Sequence, residues 1–274
     1  MSEIDTGYFN YYERSLMFHG SLVNIMGTKF DIIIIGKTNN ESEEIWIRIE
    51  QELRRLNFMM NRIDPASEIS KINSQSINNE FKVSDEMWCI LNNCKYYHEQ
   101  TLGLFDITLK DFNTIQFNKR NKTISFSKSN IQLDLGGYAK GYGLKKIQKI
   151  LEAYNIDQCF VNFGNSSILG IGNHPFGDAW KVSIENPFNI NTIVDEISKS
   201  NASLSVSGNT PSYSRHVVIP KSGKSEVDNK LVSVLMHDPL DAEVLSTAFL
   251  IASKIEREQL IDRFRIIKAR EYKL

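Results

Sequence analysis

The chain has 274 residues, 41% of them hydrophobic and 24% charged, with a formal net charge of -1, an ordinary globular composition sufficient for one large domain or two small ones. The near-zero charge argues against a nucleic-acid partner, and no apolar run approaches the length of a membrane span. Three cysteines without metal-ligand or redox spacing (Cys89, Cys94, Cys159) and an N-terminus unlike a signal peptide lead us to expect a cytoplasmic protein with reduced thiols.

Residues 1–19 read as a loosely held arm, although Tyr8, Phe9, Tyr11 and Tyr12 offer aromatic area for packing. Residues 21–36 read as strand, turn, strand, with Met26-Gly27-Thr28 at the turn and the run Ile32-Ile33-Ile34-Ile35 as a buried strand. A helix is predicted over 40–61, where Ile45, Ile49, Leu53, Leu56 and Met60 recur three or four apart and Asn40 or Ser42 caps the start. A short helix follows over 67–73, then a longer one over 84–101 with Met87, Ile90, Leu91 and Cys94 inward, His98 structural or solvated, and Gly103 ending it. Residues 111–128 alternate as a hairpin. Ile131, Leu133 and Leu135 mark a strand that runs into a glycine turn, and Leu144, Ile147, Leu151 and Tyr154 mark a helix after it. Strands are predicted over 158–163, 167–171, 180–185, 203–207, 216–219, 231–236 and 265–270, and helices over 241–253 and 255–264. Helices and strands are interleaved without strict βαβ alternation, linker or repeat. This predicts a single α+β domain over 20–274.

Three stretches have the residue types for chemistry. The run L-D-L-G-G-Y-A-K-G-Y-G at 133–143 places four glycines and Lys140 where a helix begins. Two readings stand: a cradle for an anion, or a tight turn whose glycines take positive φ. On the predicted helix over 241–253, Glu243 shares a face with Ser246 and Thr247. One carboxylate with two hydroxyls suits a hard cation such as Mg²⁺, and equally suits small residues packing on a neighbouring helix. His216, at the start of a strand after a glycine loop, reads as a general base, as a residue that holds a ligand, or equally as a surface residue. Asp106, between Phe105 and Thr108, reads as a ligand contact or as the cap of a turn.

Taken in order, these pieces resemble the ApbE family, the FAD:protein FMN transferases. Met26-Gly27-Thr28 is similar to the first family motif, and S-E-I-S-K-I-N at 67–73 resembles its "SE-x-S-x-x-N" element. G-L-F-D-I-T at 103–108 resembles "GAFDPT", the stretch at 133–142 is nearly "IDLGGIAKGY", H-V-V-I-P at 216–220 resembles "HIIDP", and A-E-V-L-S-T-A at 242–248 resembles "ADALSTA". The resemblance implies a T-fold-like domain with mixed or antiparallel sheets and flanking helices. It implies an enzyme that binds FAD with Mg²⁺ and moves FMN onto a Ser or Thr hydroxyl of an acceptor flavoprotein, releasing AMP. By motif position, Met26, Leu104, Phe105, Asp106, Gly136, Gly137, Lys140 and Val217 would contact FAD, and the Ala139 carbonyl, Glu243, Ser246 and Thr247 would lie at the metal. His216 would act at the reacting phosphate or the incoming hydroxyl.

Besides a segment between Thr108 and Ile131 that is short for the family, the chain departs from the family pattern at three motif positions. Glu243 stands where Asp is usual, Ile219 replaces the aspartate of "HIIDP", and Asn165-Ser166 replaces the last two residues of "NLGGD". Hydrolysis of FAD to FMN and AMP, or flavin binding without turnover, are therefore the alternatives to transfer.

Overall fold

The computed structural model describes residues 7–189, 191–211, 218–220 and 228–274, together with the backbone of 224–225. Its strands in chain order are β1 (Tyr8–Tyr12), β2 (Met17–Ile25), β3 (Thr28–Ile35), β4 (Phe81–Lys82), β5 (Ile115–Asn118), β6 (Thr123–Phe126), β7 (Gln158–Phe163), β8 (Ser167–Ile171), β9 (Trp180–Glu185), β10 (Ile193–Lys199), β11 (Ala202–Gly208), β12 (Val218–Ile219), β13 (Lys224–Ser225), β14 (Lys230–Met236) and β15 (Lys268–Lys273). The helices are α1 (Asn39–Met60), α2 (Glu68–Gln75), α3 (Asp85–Gln100), α4 (Gly136–Ala153), α5 (Pro239–Ile251) and α6 (Lys254–Phe264).

One eight-stranded sheet, in the order β1-β2-β3-β7-β8-β11-β14-β15, organises the molecule, and each neighbouring pair in it is antiparallel. Alternate side chains of β2 and β3 (Phe18, Leu22, Phe30, Ile32, Ile34) meet Ile45, Trp46, Ile49 and Leu53 of α1 and Leu144, Ile147 and Leu151 of α4 in one core cluster. Further along, Val232, Val234 and Met236 of β14 pack on α5, while Leu231 and Leu235 turn to the opposite face and pack with Val182, Ile184 and Ile197 of the β9–β10 ribbon. Helix α5 is thus sandwiched between the sheet and α4. This is the expected single α+β domain with antiparallel sheets.

Local chemistry explains most boundaries. Thr38 caps α1 through a capping box with Glu41, in place of the Asn40 or Ser42 expected, and Ser67, Ser84 and Asp238 cap α2, α3 and α5. The β2–β3 turn is made by Met26 and Gly27, both at positive φ (49° and 75°), the hand that matches strand twist in a two-residue hairpin.

Three expectations need correction. The arm expected over residues 1–19 is, from Tyr8 onward, part of the sheet: β1 pairs with β2 from Tyr8↔Ser21 to Tyr12↔Met17. The strand expected over 131–135 is an irregular segment with Ile131, Leu133 and Leu135 buried. Its hydrogen bonds go elsewhere: the Leu133 N–H donates to Asn73 Oδ1 (2.7 Å), Asn73 Nδ2 donates to the Leu133 carbonyl (3.0 Å), and the Asp134 N–H donates to the Ile107 carbonyl (2.7 Å). Finally, the helix begins at Gly136 rather than near Leu144, so the four glycines lie inside it, none at positive φ.

Candidate functional site

Two of those glycines, Gly137 and Gly141, serve helix contact rather than turn geometry. A Cβ on Gly141 would stand 2.6 Å from Glu243 Cβ and 2.9 Å from the Pro239 carbonyl oxygen, so α4 and α5 meet almost backbone to backbone there. One turn earlier, a Cβ on Gly137 would lie 3.3 Å from Thr247 Oγ1 and 3.6 Å from Phe105. The small residues of α4 therefore press the Glu243–Thr247 face of α5 against the start of α4. The turn reading of the glycine stretch gives way to a helix-packing one.

Two distant parts of the sequence meet at this contact. Lys140 Nζ lies 2.6 Å from Glu243 Oε1 in an ion pair that is mostly out of solvent. Glu243 Oε2 accepts from the hydroxyls of Ser167 on β8 and Ser205 on β11, the latter at 3.1 Å. Ser246 is fully buried behind the wall, where its hydroxyl lies 2.9 Å from Ser205 Oγ and 2.7 Å from Ser207 Oγ and donates to the Glu243 carbonyl. Thr247 Oγ1 donates to the same carbonyl at 3.3 Å and lies 3.5 Å from Ser207 Oγ.

A cavity of about 1470 Å³ opens over this group. Its wall includes Met26, Leu104, Phe105, Asp106, Gly136, Gly137, Ala139, Lys140, Glu243 and Thr247, ten of the predicted site residues. The remaining three do not share it in the same way. Ser246 lies beneath the wall, and His216 and Val217 fall outside the described residues; Val218 and Pro220, just after them, do line the cavity.

Supporting contacts fix the rim. The Met26 N–H donates to Asn57 Oδ1 (2.8 Å), tying the β2–β3 turn to α1. Asp134 accepts from the Gly136 N–H (2.8 Å) and pairs with Arg62 (3.0 Å), so the first amide of α4 is already engaged. Asp106 is buried and accepts from the Thr108 N–H and hydroxyl (2.7 Å each) and the Phe112 N–H (3.1 Å). Of the two readings of Asp106, these hydrogen bonds favour the loop cap, at a residue that also lines the cavity. His98 is structural: Nδ1 is 3.0 Å from the Phe105 carbonyl and the ring stacks on Phe112. At the N-terminus of α5, Asp241 accepts from Tyr97 (2.6 Å), and burial raises its carboxyl above the usual range.

The sequence reading missed Ser167, Ser205, Ser207 and Asn57. The serines had a signal: Ser203, Ser205 and Ser207 alternate with Leu204 and Val206, the mark of a strand with one polar and one apolar face.

Comparison with known proteins bears on this site. The model of the ApbE family matches residues 26–113 and 109–270, nearly the whole chain. The chain belongs to the ApbE family. Among curated relatives, it is 23% identical over 272 residues to the FAD:protein FMN transferase of Haemophilus influenzae, covering 82% of this chain and 78% of that protein. It is 22% identical over 265 residues to the FAD:protein FMN transferase of Vibrio cholerae, covering 82% and 79%. Its fold is similar to that of the flavin transferase ApbE from Vibrio cholerae (TM-score 0.80, 19% identity, covering 94% and 97% of the chains). It is also similar to the ApbE protein from Thermotoga maritima (TM-score 0.77, 22% identity, covering 89% and 90%). Among the described residues, no helix is long and apolar enough to cross a membrane.

Proposed function

We propose that this ApbE-family chain transfers the FMN part of FAD to a Ser or Thr hydroxyl of an acceptor flavoprotein, releasing AMP, with Mg²⁺ as cofactor. The observation that carries this reading is the convergence of Lys140, Glu243 and Thr247 with the glycine start of α4 on one cavity wall. The cavity, about 1470 Å³, exceeds the roughly 300–1,000 Å³ typical of small-molecule pockets, in keeping with a dinucleotide beside a segment of protein.

In the reaction, the acceptor hydroxyl oxygen bonds to the FMN-side phosphorus as the bond to the AMP phosphate oxygen breaks. The hydroxyl proton passes to a base, and AMP leaves. Such a transfer rests on positioning and charge stabilisation more than on covalent catalysis. Lys140 supplies a cation at the pyrophosphate, Phe105 and Met26 offer apolar surface to the flavin or adenine, and His216 remains our candidate base from its motif. The described donors are all oxygen (Glu243 carboxylate, Thr247 hydroxyl, Ala139 on the same wall), and they fit a hard cation that keeps waters and shares substrate phosphates. A bound Mg²⁺ would neutralise charge on the pyrophosphate as the leaving group departs.

The test is incubation with FAD, Mg²⁺ and a candidate acceptor, following AMP and acceptor mass. AMP with an acceptor heavier by one FMN is the expected result. AMP alone would replace transfer with FAD hydrolysis, and tight FAD binding without AMP would exclude both. Glu243→Ala is expected to abolish AMP release; unchanged release would refute the role given to Glu243.

A further inference from the structure

Lys140 is in an unexpected place. If it only contacted phosphate, its ammonium would be free to face the cavity; instead it sits 2.6 Å from Glu243 Oε1, the carboxylate oxygen left over after Ser167 and Ser205 take Oε2. Both oxygens of the single carboxylate in this group are thus in use, and the pair is largely withdrawn from solvent, with side-chain exposures of 20% for Lys140 and 5% for Glu243. A divalent cation arriving alone must share Oε1 with an ammonium within contact distance. Like charges at that separation repel strongly in a partly desolvated site. A pyrophosphate arriving alone finds Lys140 already neutralised. When both arrive, the lysine, on its flexible four-carbon stem, can move from Oε1 to a phosphate oxygen and free the carboxylate.

We infer that the Lys140–Glu243 pair makes cation and pyrophosphate binding mutually dependent, with Lys140 as the resident counter-ion that each ligand helps to displace. Because coupling between binding sites is reciprocal, the nucleotide tightens the cation by the same factor as the cation tightens the nucleotide. The proposal rests on the reading of this site as a cation–pyrophosphate site, but its first test needs no nucleotide.

Mn²⁺, followed by its electron paramagnetic resonance signal, is titrated into the wild-type protein and into Lys140→Met, which keeps the apolar stem. Without nucleotide, Lys140→Met is expected to bind Mn²⁺ about tenfold or more tighter than wild type, within the usual range of coupling. Adding FAD is expected to tighten Mn²⁺ binding in wild type and to do so much less in the variant. Removing Lys140 strands a buried carboxylate, which destabilises a fold. Lys140→Gln, which still donates a hydrogen bond to Oε1, is therefore run alongside, and thermal unfolding is expected to show a larger Mn²⁺-induced rise in both variants than in wild type. Equal or weaker Mn²⁺ binding in both variants would overturn the proposal. So would tight binding that survives Glu243→Gln in the Lys140→Met background. Failure of FAD to bind or to yield AMP would refute the transferase reading and leave the Mn²⁺ comparison standing.

Discussion

Gly141 and Gly143 stand two residues apart in the same helix, and the structure assigns opposite signs to their replacement by alanine. In a helix interior the exchange gains about 1 kcal/mol of intrinsic propensity at either position. At Gly143 the new methyl would rest 3.5 Å from Leu53 Cδ2 and Phe163 Cε1, ordinary contact. At Gly141 it would stand 2.6 Å from Glu243 Cβ, 2.9 Å from the Pro239 carbonyl oxygen and 3.0 Å from Leu240 Cα. Two of these are backbone atoms that no rotamer change can move, so α5 must shift bodily. Overpacking of this kind costs about 3 kcal/mol, the upper part of the usual range. The net expectation is a loss of about 2 kcal/mol for Gly141→Ala and a gain of about 1 kcal/mol for Gly143→Ala. Urea unfolding at fixed pH reads this directly, as midpoints moving in opposite directions at similar slopes. The displaced α5 also carries Glu243 away from Lys140, so FAD binding is expected to weaken in Gly141→Ala and to hold in Gly143→Ala. Equal stability of the two variants would refute the close helix contact on which the site geometry rests.

Two further outcomes follow from polar side chains that the fold engages. Lys199 is 3% exposed, with Nζ 3.2 Å from the Ala202 carbonyl and 5.5 Å from the Phe160 ring centroid, and burial pulls its ammonium down to about 7 from an ordinary 10.5. Between those values the unfolded chain holds a proton that the folded chain lacks, so stability rises with pH across that window. Relative to Lys199→Met, wild type is expected to gain roughly 2 kcal/mol between pH 7 and pH 9, read by urea unfolding at both; parallel pH profiles would refute a buried, proton-shedding lysine. Asn73→Ala removes both hydrogen bonds to the Leu133 backbone and is expected to cost roughly 2–4 kcal/mol, with weaker FAD binding because the start of α4 loses its anchor. Unchanged unfolding and FAD affinity would show that the segment holds its shape without Asn73.

The parts of the fold legible in the sequence are those whose burial is periodic and local. Helices α1, α2, α3 and α6, the β5–β6 hairpin and strands β7, β8 and β9 follow from spacing and turn residues alone. Strand β10 did not, because only Ile197 and Lys199 of I-V-D-E-I-S-K are buried, and a buried lysine reads as an exposed one. The segment over 131–135 has the alternation of a strand, yet its backbone partners are the side chain of Asn73 and the Ile107 carbonyl, tens of residues away. Alternation reports which side chains are buried and is silent on where the N–H groups go. The glycines of α4 failed for a related reason. Gly141 faces Pro239 to Glu243 and Gly137 faces Thr247, all on α5 and roughly a hundred residues on, and no local rule distinguishes a glycine kept for positive φ from one kept for a neighbouring helix.

The site itself divides along the same line. The spacing of Glu243, Ser246 and Thr247 predicted a shared face, but a helix face is broad, and the structure splits it: Thr247 lines the cavity while Ser246 turns inward to Ser205 and Ser207. Strand β11 explains the split. Its Leu204 and Val206 face the β9–β10 ribbon, so Ser203, Ser205 and Ser207 must face α5. Buried hydroxyls demand partners, and an apolar helix laid on that stripe would leave them unmet. Helix α5 answers with Ser246 and the second oxygen of Glu243, and Ser167 on the next strand completes the set. The serine stripe thus decides which carboxylate oxygen is committed to the fold, and the other is left to Lys140 and to whatever enters the cavity.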